Sequence, residues 1–289
     1  MQYSVRTGPF FTHLQTTLNS VAEGIERFYS GNLVVPEGGF YDFHVRIAPP
    51  PNLRRWVRPQ VYFLLDGKTP FKPLPLHQAY PMFEWGLNWA ITHQAHQYLI
   101  LHAAVIEKNE RAVIMPGAPG TGKSTLCAAL VQRGWRLLSD ELALISPEDG
   151  SLTALARPLG LKNQSIAVLR GFAPDAEIGP VTRDTRKGTI AHMRAPASSR
   201  DRVDEKAVPA WLIFPRYEAD SECNLSERDK GPAFMEAAKQ GFNYSLLGIS
   251  GFRTLKRLVE TCACFDFKYS RLNEAIEVFD NLPPNRGFQ

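Results

Sequence analysis

The rhythm of apolar and polar positions changes near residue 78. Before it, apolar runs are short. Leu33-Val34-Val35, Tyr41 to Ile47 and Val61 to Leu65 read as strands, the second by alternation and the third as a continuous run closed by an Asp66-Gly67 turn that predicts a hairpin. Thr16 to Tyr29 has helical spacing, and Pro49-Pro50-Pro51, Pro70, Pro73 and Pro75 break the pattern repeatedly. A small α+β N-terminal domain over 1–78 is expected, available for acceptor or partner recognition. From there the runs lengthen. Gln78 to Gln97 predicts a helix, Tyr98 to Ile106 a buried strand, Lys108-Asn109-Glu110 a turn and Arg111 to Met115 a returning strand. A helix over 123–133 ends at Gly134, a favourable C-cap. Arg136 to Ile145 reads as one strand region and Pro147 to Gly150 as a turn. Residues 151–210 look loop-rich, Ala210 to Phe214 is a strand, and Pro232 to Gln240, Gly251 to Thr261 and Asn273 to Leu282 are helices. The pattern predicts an α/β domain over 79–289, with a mainly parallel or mixed sheet flanked by helices.

Composition narrows the function classes. The chain has 289 residues, 44% hydrophobic and 21% charged, which suits a globular protein with a real core. A net charge of +4 gives no footing for nucleic-acid binding, and the densest basic patch, Arg54-Arg55-Trp56-Val57-Arg58, reads as a solvated loop. Cys127, Cys223, Cys262 and Cys264 form no C-x-x-C pair, so reduced thiols in a cytoplasmic protein are expected rather than a metal cluster. Met1 to Arg6 has no apolar signal-peptide core, and no stretch is long enough for a membrane span.

One segment carries specific chemistry. Gly117-Ala118-Pro119-Gly120-Thr121-Gly122-Lys123-Ser124 spells G-x-x-x-x-G-K-[ST] between a predicted strand and a predicted helix, the context that a phosphate-binding loop requires. Its glycines allow successive backbone N–H groups to point at phosphate oxygens, and the helix adds the positive end of its dipole. ATP is the expected ligand. Gly117 through Ser124, with Thr125, would cradle its phosphates, Lys123 would reach the β- and γ-phosphates, and Ser124 would hold Mg²⁺.

A phosphate loop needs a carboxylate at the end of a neighbouring strand. Asp140-Glu141 lies there, and two adjacent acids can divide metal binding from proton acceptance. His102, in an apolar strand, reads on its own as a core residue. Arg183 to His192 is a polar loop from which Arg186 or Lys187 would close over the phosphates. These residues suit phosphoryl transfer to a hydroxyl. They also suit a nucleotide-dependent switch or assembly ATPase that passes the phosphoryl group to water.

Leu101-His102-Ala103-Ala104, the phosphate loop and Gln132-Arg133-Gly134-Trp135-Arg136-Leu137-Leu138-Ser139-Asp140-Glu141, in this order, resemble the kinase domain of HPr kinase/phosphorylase. They resemble more closely the HPr-kinase-related proteins of peptide-modification and exosortase gene cassettes. The resemblance is good over roughly 98–165 and leaves 1–78 unexplained. It implies a P-loop kinase domain of the HPr kinase/PEP carboxykinase-like type, and an ATP- and Mg²⁺-dependent serine kinase. Asp140 would be the base, Glu141 a metal ligand where the family usually has Asp, and His102 a catalytic-site histidine beside the acid. Arg157-Pro158-Leu159-Gly160-Leu161-Lys162-Asn163 resembles a degenerate R-G-L-G-I-x-N segment. The missing glycine after Arg157 argues against a regulated reverse phosphorylase activity. The founding family's hexamers imply a homo-oligomer. The acceptor is expected to be a peptide, protein or metabolite bearing a hydroxyl.

Overall fold

The computed structural model describes residues 1–283. It opens with a hairpin, β1 (Gln2–Thr7) and β2 (Phe10–Thr16), then α1 (Asn19–Tyr29), β3 (Phe43–Ala48), β4 (Gln60–Leu65) and the short β5 (Leu74–Pro75). The five strands form one sheet in chain order, with β2 and β3 parallel and the other pairs antiparallel. Alternation sorts β2: Phe10, Thr12 and Leu14 face inward, while Phe11, His13 and Gln15 are half-buried. α2 (Ala79–Gln94) lies against the inner face with α1, and Phe63, Phe83, Leu87 and Ile91 are fully buried there. At Gly24 a Cβ would stand 2.1 Å from the Tyr80 ring, so glycine lets α1 and α2 approach closely.

The second layer begins with β6 (Leu99–Lys108), β7 (Arg111–Pro116), α3 (Lys123–Val131), β8 (Arg136–Ser139), β9 (Leu142–Ile145) and β10 (Leu152–Thr153). It continues with β11 (Leu159–Lys162), α4 (Gln164–Phe172), β12 (Thr182–Thr185), β13 (Gly188–Met193), α5 (Ala197–Asp201) and β14 (Val208–Tyr217). It ends with β15 (Asn224–Glu227), α6 (Lys230–Lys239), α7 (Tyr244–Thr261), β16 (Ala263–Tyr269) and α8 (Leu272–Asp280). The main sheet runs β10-β9-β6-β7-β14-β16-β15, with β8 also on β6. Only β7–β14 and β14–β16 are parallel, so the architecture is mixed α/β. β11, β13 and β12 form a separate antiparallel sheet.

Alternation along the central strands splits the core in two. Ala104, Ile106, Val113 and Met115 pack with α3, α4 and α8. Leu101, Ala103, Val105, Ala112 and Ile114 pack with α6 and α7 on the other face. The first layer joins this framework through Ile100, Leu142, Leu144 and Leu155, which share its core.

Several local expectations need correction. Leu33-Val34-Val35 is not a strand; Leu33 makes only an isolated bridge to Val5 on the free edge of β1, beside the Arg6 N–H bond to the Asn32 carbonyl. The Asp66-Gly67 turn forms, bridging Leu65 to Lys68, but β4 pairs at length with β3 rather than across that turn. The run 136–145 divides into β8 and β9, leaving Asp140-Glu141 in the gap. Residues 151–210 contain four strands and two helices rather than mostly loop. The tail also hides a central strand, β16, parallel to β14.

Candidate active site

The residues of the G-x-x-x-x-G-K-[ST] segment form the turn between β7 and α3, at the carboxyl end of β7. Gly120 and Gly122 have φ of +94° and +91°, a region that side chains disfavour. A Cβ at Gly122 would stand 2.4 Å from Tyr269 Oη and 2.8 Å from Tyr217 Cβ. Tyr269 Oη donates to the Gly122 carbonyl at 3.0 Å, and the Tyr217 N–H donates to the Thr121 carbonyl at 2.9 Å. The ends of β14 and β16 therefore brace the loop from outside. Thr121 Oγ1 donates to the Ala118 carbonyl at 3.1 Å, which closes the turn on itself.

Lys123 is buried and donates to the Gly117 carbonyl at 3.0 Å. Burial holds its pKa below the usual lysine value, and the nearby carboxylates of Glu141 and Asp140 oppose that shift. Lys123, Ser124 and Thr125 open onto a cleft of about 790 Å³. Asp140, Glu141 and His102 line the same cleft, so the expected residues converge.

Asp140 leaves the end of β8, and its Oδ2 accepts from the Gly160 N–H of β11 at 2.7 Å. Burial and then the Glu141 charge push its pKa up to about 6, while the Gly160 hydrogen bond and Arg157 pull the other way. Glu141 is placed differently. Its Oε2 accepts from Asn88 Nδ2 at 2.8 Å, and its Oε1 lies 3.6 Å from Lys187 Nζ and 4.0 Å from His102 Nε2. Burial opposes its charge, but the cations Lys187, Lys162 and Arg157 outweigh burial and leave its pKa below the usual value. Burial, then Lys123, depresses His102, so the ring is neutral at pH 7 and its contact with Glu141 is not an ion pair. The rest of the ring leans edge-on against Phe242, with centroids 5.9 Å apart.

The expected closing loop is the tight turn of the β12–β13 hairpin. Arg186 and Lys187 both line the cleft, with Lys187 Nζ 5.4 Å from the Trp85 ring centroid and beside Glu141. The first layer holds this hairpin, since Gln78 Nε2 donates to the Asp184 carbonyl at 2.9 Å.

Sequence reasoning missed most of the far wall. Arg157 donates to Glu84 Oε2 at 2.6 Å, to the Glu84 carbonyl at 3.0 Å and to Asn88 Oδ1. Tyr80 Oη donates to Glu84 Oε1 at 2.6 Å, and Tyr29 Oη donates to both Glu84 oxygens at 3.1 Å. Burial raises both tyrosine pKa values, and the buried Glu84 charge adds to this. A hydrogen-bonded chain thus runs from α1 and α2 through Arg157 and Asn88 to Glu141. The available signals were weak: an acid at Glu84 inside an otherwise apolar helix, and Arg157 at the head of the degenerate segment. Lys162, Asn163, Tyr217 and His192 also line the cleft. His192 is buried against the rings of Tyr80 and Phe28, and burial lowers its pKa.

No cluster of three or more His, Cys, Asp or Glu suited to holding a metal on its own occurs among the described residues. A cation here would need phosphate oxygens to complete its shell, as magnesium in nucleotide sites does. No described helix is long and apolar enough to cross a membrane.

A family model described as "SynChlorMet cassette protein ScmC" matches residues 82–160. That stretch runs from α2 into β11 and contains His102, the glycine-rich loop, Asp140, Glu141 and Arg157. No curated protein matches the chain.

Proposed function

We propose that this protein is an ATP-dependent kinase that transfers the γ-phosphoryl group to a hydroxyl, in the first instance that of a serine. The observation that carries the reading is the placement of Asp140. It faces the cleft shared with Lys123 and Ser124, one oxygen is fixed by the Gly160 N–H, and the other accepts no hydrogen bond among the described residues. A pKa of about 6 leaves it ionised at neutral pH yet basic enough to take a proton.

In the step, the acceptor oxygen bonds to the γ-phosphorus as the bond from that phosphorus to the β,γ-bridging oxygen breaks. The hydroxyl proton passes to Asp140, and ADP leaves with the bridging oxygen. Lys123 and the loop N–H groups would meet the charge that spreads over the phosphate oxygens. Magnesium, when bound, neutralises the β- and γ-phosphates. Ser124 would hold it, with Glu141 turned from Lys187. Arg186 or Lys187, at the tip of the hairpin, would cover the phosphates. Neutral His102, wedged between Glu141 and Phe242, would orient the acid pair.

The order of motifs supports a P-loop kinase of the HPr-kinase-related type, and four free cysteines suit a cytoplasmic setting. The matching family model is named for a cassette, so products encoded beside this chain are the first acceptors to test.

The test is labelling from γ-labelled ATP with Mg²⁺ and candidate acceptors. Label on a discrete acceptor, lost in Lys123→Ala and in Asp140→Asn, is the expected result. Release of inorganic phosphate alone, undiminished in Asp140→Asn, would overturn the kinase reading in favour of a nucleotide switch.

A further inference from the structure

Beside the cleft lies an apolar surface that the phosphoryl-transfer chemistry does not use. The segment leading into α7 is stitched to the strand that carries His102. The His102 N–H donates to the Gln240 carbonyl at 2.7 Å, and the Phe242 N–H donates to the Ile100 carbonyl at 2.9 Å. Phe242 is therefore fixed with one edge on the His102 ring, and it remains 51% exposed. Further along, Leu246 and Ile249 are 67% and 65% exposed, and Phe252 is exposed as well. Gly248, at φ +53° and ψ −123°, breaks the helix between Leu246 and Ile249, and both pieces present apolar side chains to solvent. Phe252 carries the stripe on to α6 through an edge contact with Phe234 at 5.5 Å.

The two halves of α7 differ in what they show to water. No charged residue occurs between Lys239 and Arg253. Beyond it the exposed positions include Arg253, Lys256, Arg257 and Glu260, all charged. The second half packs on the sheet through buried Leu255, Leu258 and Val259, whereas the first half reaches that core only through half-buried Tyr244 and Leu247. The exposed apolar residues are thus confined to the end that abuts the site. An exposed apolar patch of this kind marks a contact surface, and its continuity with His102 fixes whose surface it is. It meets the cleft at Phe242, whose ring leans on His102, a residue of the cleft lining.

We infer that the acceptor is a polypeptide whose hydroxyl residue is flanked by an apolar segment, and that this segment docks on Phe242, Leu246, Ile249 and Phe252. The inference rests on the kinase reading above. ATP fills the loop side, the acceptor hydroxyl enters between Asp140 and His102, and the neighbouring residues of the same chain lie across Phe242 onto α7. A small metabolite would reach Asp140 but leave the stripe uncovered. Binding away from the reacting group is the usual way in which a kinase holds its acceptor for an in-line transfer.

The experiment uses the full chain, γ-labelled ATP with Mg²⁺, and pools of synthetic peptides with one central serine. The pools carry Leu/Phe, Gly/Ala or Lys/Glu flanks. Leu246→Asp is compared with wild type, and its thermal midpoint and ATP affinity are measured alongside. Labelling of the Leu/Phe pool about tenfold above the charged pool is expected, with KM for that pool raised about tenfold in Leu246→Asp and kcat unchanged, the loss that desolvating one leucine implies. Equal labelling of all pools would overturn the inference and leave the kinase reading standing. Labelling of free serine or another small hydroxyl compound, with every peptide pool blank, would also overturn it. Phosphate release without label on any hydroxyl would remove the kinase reading itself. Sedimentation of both proteins adds one more outcome. An oligomer that Leu246→Asp dissociates, with peptide labelling unchanged, would assign the stripe to a second copy of this chain and overturn the docking inference.

Discussion

One wall of the cleft is a single stretch of chain, residues 117–125, in which Lys123 answers to Gly117 and Thr121 to Ala118. The other wall draws Glu84 and Asn88 from α2, Glu141 from the β8–β9 gap, Arg157 from the approach to β11 and Lys187 from a hairpin turn. The first wall works by backbone geometry: Lys123 and Thr121 bond within the loop, and Tyr217 and Tyr269 brace its Thr121 and Gly122 carbonyls from outside. The second works by charge balance among groups far apart in sequence, each needing the others because burial makes an unpaired charge costly. Changes at the buried members of the far wall, Glu84 and Arg157, should therefore register first in stability. Changes on the loop wall should register first in what the cleft binds.

The largest effect expected is at Arg157. Arg157→Met leaves Glu84 buried with only the Tyr29 and Tyr80 hydroxyls, and should cost about 3–5 kcal/mol of unfolding free energy by denaturant titration. Adding Glu84→Leu removes the orphaned charge and should restore most of the loss, because a buried pair replaced by apolar groups is often nearly neutral. A double variant no better than Arg157→Met alone would mean that the pair is not coupled as described.

Asp140 should behave in the opposite sense. Its native pKa of about 6 exceeds the ordinary aspartate value of 3.8, so the folded state binds this proton more tightly than the unfolded state does. Its contribution to stability is greatest below pH 3.8 and is lost as pH rises through 6. Asp140→Asn should thus be more stable than wild type by up to about 3 kcal/mol above pH 6, a gain that fades toward pH 4, while phosphoryl transfer disappears. In wild type, kcat/KM should fall about tenfold per pH unit below 6 as the base becomes protonated. A transfer rate flat from pH 7 to 5 would contradict the assignment.

Gly122 tests the loop wall. Alanine there combines a φ of +91° with a Cβ 2.4 Å from Tyr269 Oη, and should cost about 1–3 kcal/mol. Calorimetric titration should show ATP affinity falling further than the same variant's stability, because relief of the clash moves the loop itself. Equal losses in both would erase the contrast between the walls.

How much of this was legible in the sequence follows the same division. The strand, loop and helix around Gly117–Thr125 were readable because every determinant is local: apolar runs, glycines at left-handed positions, a lysine and a serine at fixed offsets. Asp140 and Glu141 were readable through their distance from the loop, but not the split of the strand that exposes them. The network of Glu84, Asn88 and Arg157 left almost no trace, since a buried pair is defined by a partner 73 positions away. β16 was overlooked because Asp266 and Lys268 interrupt its apolar positions. The fold resolves this through pairing, with Asp266 meeting Arg228 and Phe265, Phe267 and Tyr269 facing α3 and α8. The β1–β2 hairpin was missed because Thr12 and His13 dilute the alternation, and the parallel pairing of β2 with β3 depends on a long crossover through α1.

The smallest effect on stability, and the sharpest test of the far wall's role, is expected at Lys187. Its ammonium lies 3.6 Å from Glu141 Oε1 but is 41% exposed, a setting in which an ion pair contributes no more than about 1 kcal/mol. Lys187→Ala should leave the unfolding midpoint nearly unchanged. It should nevertheless slow phosphoryl transfer, by about 10- to 100-fold if Lys187 meets the phosphate charge only in the transition state. The loss should fall on kcat rather than on the KM for ATP. Glu141 carries the complementary signature. Without Lys187, the first of the charges that oppose burial at Glu141 is gone, so its pKa should rise, and the acid limb of the pH profile should become steeper as both carboxylates titrate together. A large loss of stability with unchanged kcat would make Lys187 a structural strut of the hairpin instead. The far wall would then be scaffold throughout, with Asp140, held by the Gly160 N–H, left to do the chemistry.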